Sequence, residues 1–98
     1  MAKDSRPIVS QEDISDAIGD LKCMVKQKAK KHGPRVYLTP HNALGIITEE
    51  YWELIEAIKS NDPNRIYSEI MDVAVACIWQ AASTYTYERQ EEKTNVNR

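Results

Sequence analysis

Apolar residues in this chain recur at spacings of three and four in three separate blocks, which predicts three helices. In the first block Ile14, Ala17, Ile18, Leu21, Val25 and Ala29 share one side of a helix. Ser10 stands before it as an N-cap, and Glu12 and Asp13 occupy the first turn, where the helix dipole favours acids. Lys28, Lys30, Lys31 and His32 close the segment, and Gly33-Pro34 ends it. A short extended loop over residues 35–38 follows. Thr39-Pro40 opens the second helix as N-cap and N1 proline, and the pattern continues to about Lys59. Its seam is Leu44, Ile47, Tyr51, Leu54 and Ile58. Ser60-Asn61-Asp62-Pro63 breaks that helix and caps a third, which is expected to run to roughly Glu88. Only Val36-Tyr37-Leu38 has the character of a strand, and it is short.

The expected fold is therefore all-α: a three-helix protomer. Residues 1–9 read as an N-terminal extension, residues 10–88 as a single helical domain, and residues 89–98 as a polar, frayed tail. A chain of 98 residues supports at most one domain and buries only a modest part of its surface, so a partner chain would help its stability.

Composition removes several functions. The net charge of −2 does not suit a binder of nucleic-acid polymers, which is usually basic. No apolar run is long enough for a membrane span, and the N-terminus lacks the apolar core of a signal peptide. Cys23 and Cys77 lie in apolar-patterned stretches and read as reduced core residues of a cytoplasmic protein. Trp79, Met24 and Met71 read as packing residues, and Trp52 as an interface residue pointing away from the seam.

The acids carry the chemistry. Successive residues advance about 100° around an ideal helix. On the second helix Ala43, Ile46 and Ala57 widen the apolar surface on one flank of the seam. Glu50 falls inside that arc and Glu53 at its edge, while Glu49 and Glu56 point toward water. An ionised carboxylate within an apolar surface is costly unless paired or metal-bound. The third helix repeats the anomaly. It reads VAVACIWQAA from Val73, apolar almost all round, yet Glu69 and Asp72 lie one turn apart at its entrance. Two i, i+3 acidic pairs on helices that must pack together would repel without a counter-ion. Oxygen-only ligands suit Mg²⁺ or Mn²⁺, and the absence of Glu-x-x-His pairs argues against a di-iron bundle. Ordinary surface glutamates would account for Glu49 and Glu56, but poorly for Glu50 and Asp72.

This arrangement resembles a known family. Glu49-Glu50-Tyr51-Trp52-Glu53, followed after fifteen residues by Glu69-Ile70-Met71-Asp72, is similar to the motif pair of the MazG-like, all-α nucleoside triphosphate pyrophosphohydrolases. The resemblance spans residues 39–82. It implies protomers that assemble into a four-helix-bundle-type homodimer or homotetramer. It implies Mg²⁺-dependent cleavage of a (deoxy)nucleoside triphosphate to monophosphate and pyrophosphate, by a metal-activated water attacking the α-phosphorus. Glu50, Glu53, Glu69 and Asp72 match the metal ligands, Glu50 or Glu53 the proton acceptor, and Glu49 a supporting acid. Tyr51-Trp52 stands where glycine is frequent, and Trp79 where aliphatic residues are usual, so the base remains open. Lys28, Lys31 and Arg35 in the basic stretch KQKAKKHGPR, and His41 and Asn42 at the second helix N-terminus, are candidates for the substrate's phosphates or base. His32 reads as a helix-end residue. The rival reading is a non-catalytic helical oligomerisation or partner-binding module whose acids are vestigial or hold a structural ion.

Overall fold

Side chains at the expected caps start each helix. Ser10 is extended and accepts the Asp13 amide at 3.0 Å; Thr39 accepts the Asn42 amide at 3.0 Å; Asp62 accepts the Asn64 amide at 3.1 Å. The stops are equally local. Gly33, at φ 86°, ends the first helix, and Asn61, at φ 58°, ends the second with its amide bonded to the Ile58 carbonyl at 3.1 Å. In the computed structural model, which describes residues 4–96, these signals delimit α1 (Gln11–His32), α2 (Pro40–Ser60) and α3 (Pro63–Val96). No strand occurs among the described residues, so the segment 36–38 is loop.

α3 does not stop near Glu88 but continues to Val96. The stretch from Arg89 to Lys93 is Arg, Gln, Glu, Glu and Lys, all strong helix formers, and polarity there was a poor guide to helix breakage. The end of the expected tail, Asn97 and Arg98, lies outside the described residues, as do residues 1–3 of the expected N-terminal extension.

α2 lies along α3, and α1 packs on α3 but not on α2, which leaves a cleft between α1 and α2 over the α3 surface. The buried residues are mostly small: Ala43 and Ala57 on α2, and Met71, Val75, Ala76 and Ser83 on α3. The expected seam is therefore displaced. Leu44, Tyr51 and Ile58 remain 61%, 55% and 52% exposed. The α2 face that meets α3 is the flank of Ala43, Glu50, Leu54 and Ala57, because alanines let the two helices approach closely. α1 shows the same split. Leu21, Met24, Val25, Lys28 and Ala29 are half-buried, while Ile14 and Ile18 near its start are exposed.

Three expected core residues are not core in the protomer. Cys23 and Cys77 are free and exposed. Cys77 is exposed on α3, as are Ile70 and Ile78. Trp79 is half-buried, and its indole N–H donates to the Arg35 carbonyl at 2.9 Å. It thereby fastens the loop between α1 and α2 to α3. Two further bonds do the same: the Tyr37 amide donates to Ser83 Oγ at 3.2 Å, and the Tyr87 hydroxyl donates to the Tyr37 carbonyl at 3.0 Å.

Candidate metal centre

Packing Ala57 and Ala43 against α3 turns Glu50 toward Glu69 and Asp72. One carboxylate oxygen from each of Glu50, Glu69 and Asp72 lies within 4.8 Å of the others, and all three residues are half-buried. Glu53, one turn beyond Glu50, is exposed at the rim and lies close enough for its charge to bear on all three. Glu49 is exposed and acts on Glu50 only as its weakest charged neighbour. Glu56 is turned away and pairs with Lys59 at 3.7 Å.

The electrostatics are those of acids crowded together. Burial first, then the charges of Glu53, Asp72 and Glu69, push the Glu50 carboxyl above its ordinary value. Glu69 is raised by burial and by Asp72 and Glu53, with Arg65 offsetting part of this. Asp72 is raised by burial and by Glu53. Glu69 Oε2 is buried without a hydrogen-bond partner, which is costly for an oxygen of this kind. Convergent oxygens, mutual repulsion and a buried oxygen lacking a donor all fit a hard divalent cation.

The cluster opens into a cleft of about 470 Å³. Glu50, Asp72, Ile46, Val75 and Ala76 form one side; Met24, Gln27, Lys28, Lys31 and His32 of α1, with Tyr37, form the other. Lys28 and Lys31 are thus brought to the site. Arg35, His41 and Asn42 are exposed and line no part of this cleft. Arg35 contributes its carbonyl to the loop clamp, and Asn42 its amide to the Thr39 cap.

Gln27 and Tyr37, which have no role in the sequence reading, also line the cleft, as does His32, read there as a helix-end residue. Met24, Gln27, Lys28 and Lys31 do carry a signal: their spacing puts them on one side of α1, the test applied to the acids on α2. Tyr37 carries none, because its place depends on loop bonds to α3.

Comparison with known proteins gives one match. The sequence profile described as the MazG nucleotide pyrophosphohydrolase domain matches residues 38–93, which include every acid of the cluster. No curated protein and no solved structure matches the chain. With more than half of its residues within that profile, the chain belongs to the MazG nucleotide pyrophosphohydrolase domain family.

Proposed function

We propose that this protein is a metal-dependent nucleoside triphosphate pyrophosphohydrolase, cleaving a (d)NTP to the monophosphate and pyrophosphate. The observation that carries the reading is the convergence of Glu50, Glu69 and Asp72 at the head of a cleft whose opposite wall is basic. Glu50, Glu69 and Asp72 would hold the ion, Mg²⁺ or as second candidate Mn²⁺, with Glu53 completing the set from the rim and Glu49 in support. Such an ion supplies a lowered pKa for water and positive charge for the phosphates.

The side chains divide the remaining work. The acid wall would draw in the α-phosphate only through the ion it holds, and Lys28 and Lys31 face the anionic chain from α1. Glu53, outside the tight cluster and open to solvent, takes the proton of the attacking water. The water oxygen bonds to the α-phosphorus as the bond from that phosphorus to the bridging oxygen of the β-phosphate breaks. Pyrophosphate departs with the electron pair of the broken bond.

The active form we propose is a homodimer or homotetramer. Leu44, Tyr51 and Ile58, each seven residues apart, form an exposed apolar line on α2, with Trp52 beside it. Exposed apolar surface of this kind marks an interaction site.

The test is pyrophosphate release from a panel of nucleotides with Mg²⁺ and with chelator. Release that requires the metal is expected, and Glu53→Gln should lower turnover by about a hundredfold or more. Absence of turnover on every nucleotide would favour the non-catalytic oligomerisation module. A Glu53→Gln protein as active as the parent would remove Glu53 from the site.

A further inference from the structure

The basic wall of the cleft comes from α1, outside the stretch that matches the family profile. Lys28 and Lys31 share the cleft with Glu50 and Asp72, yet neither lysine forms an ion pair with these acids among the described residues. Opposite charges thus face one space and stay apart.

Lys28 is held on its own side. Its Nζ donates to the Tyr37 hydroxyl at 2.6 Å and lies 4.9 Å from the Tyr37 ring centre and 5.3 Å from that of Trp79. Tyr37 is fixed in turn. Its amide donates to the buried Ser83 hydroxyl, its carbonyl accepts from Tyr87, and Ser83 Oγ donates to the Trp79 carbonyl at 2.8 Å. A lysine normally gives up much rotamer freedom when it binds an anion. Here the loop clamp has restrained Lys28 beforehand, at a distance from the acids that leaves room for a ligand. The Tyr37 oxygen accepts from Lys28, so its own O–H is free to donate to a second acceptor.

We propose that Lys28, positioned by Tyr37, binds the terminal phosphates of the substrate, the half that leaves as pyrophosphate. The inference rests on the pyrophosphohydrolase reading above and deepens it. The α-phosphate must lie at the acid wall, where Glu53 can take the proton. From there the substrate extends two ways: to the terminal phosphates, which are anionic, and to the nucleoside, which is neutral. Only the first is matched by an ammonium. The nucleoside is directed away from α1.

The experiment compares the full chain with Lys28→Met, Lys28→Arg and Tyr37→Phe, each checked for an unchanged melting curve. Pyrophosphate affinity is measured by calorimetry in the presence of Mn²⁺, and Mn²⁺ affinity alone in parallel. Lys28→Met should weaken pyrophosphate by about tenfold or more, the size of one charged hydrogen bond. Lys28→Arg should recover most of the loss, and Tyr37→Phe should fall between. Affinities for Mn²⁺ alone and for the nucleoside monophosphate should not move. In turnover, the KM for triphosphate should rise further than kcat falls. Unchanged pyrophosphate binding in Lys28→Met would overturn the proposal, and loss of monophosphate binding instead would assign the α1 wall to the nucleoside. Calorimetry needs no turnover. A chain that binds pyrophosphate through Lys28 but hydrolyses no nucleotide would overturn the activity and uphold the phosphate wall.

Discussion

Glu50, Glu69 and Asp72 hold their protons more tightly in the fold than isolated carboxyls do, chiefly because burial disfavours their charged forms. The folded chain therefore binds more protons than the unfolded chain above the ordinary values of 4.5 for Glu and 3.8 for Asp. By linkage, the stability of the metal-free protein falls as pH rises from those values through the raised ones, then levels off. A divalent ion that takes the place of those protons should reverse the loss. Melting of chelator-treated protein is expected to be highest in mild acid and to drop toward neutrality, with Mn²⁺ restoring it at neutral pH. Glu69→Gln removes the charge from the carboxylate whose Oε2 is buried without a partner. It should raise the metal-free melting temperature at neutral pH and shrink the Mn²⁺-induced rise. A metal-free melting curve independent of pH would contradict the crowded, partly protonated cluster.

At the scale of elements, caps did most of the specifying. Ser10, Thr39 and Asp62 start the helices and Gly33 and Asn61 stop two of them, each through bonds or backbone angles within a few residues. Such signals are readable because they are local. The pairing of Glu50 with Glu69 and Asp72 was also readable, since helical spacing puts each pair on one face and so small a fold forces the helices together. The end of α3 was not, because Arg89 to Lys93 are polar and good helix formers at once. Neither was the part Trp79 and Tyr37 play in the loop clamp, whose bonds join residues more than forty apart in sequence. Asn61 gives a direct test of the local account. At φ 58° it occupies the left-handed region, where a Cβ-bearing residue without a local polar group costs about 1 kcal/mol. Asn61→Ala should lower the melting temperature by about 5 °C, and Asn61→Gly should cost little or raise it slightly. Equal losses in both would point to the side chain and not the backbone angle.

At the scale of the whole molecule, the protomer measures 64 × 29 × 28 Å, and among the described residues no large side chain is fully buried. Both apolar flanks of α2 were legible, but periodicity cannot say which flank meets α3. The answer depends on how closely two helices approach. Ala43 and Ala57 permit close approach, so their flank is inside, and the bulkier Leu44, Tyr51 and Ile58 are left outside. Ile70 and Ile78 on α3 are also partly exposed. A slender protomer with a core of alanines, one valine and one methionine has little apolar burial to set against chain entropy. Association that covers the α2 line would supply the remainder, and stability would then depend on protein concentration. Wild-type protein is expected to sediment as a dimer or larger and to melt higher as its concentration rises. Leu44→Glu combined with Ile58→Glu places charges on the outer line while leaving Ala43, Glu50 and Ala57 against α3. It should shift the chain to a monomer that melts lower and loses the concentration dependence. A wild-type monomer whose melting temperature is constant over about a hundredfold range of concentration would show that the protomer stands alone. The outer line of α2 would then need a partner other than a second copy of this chain.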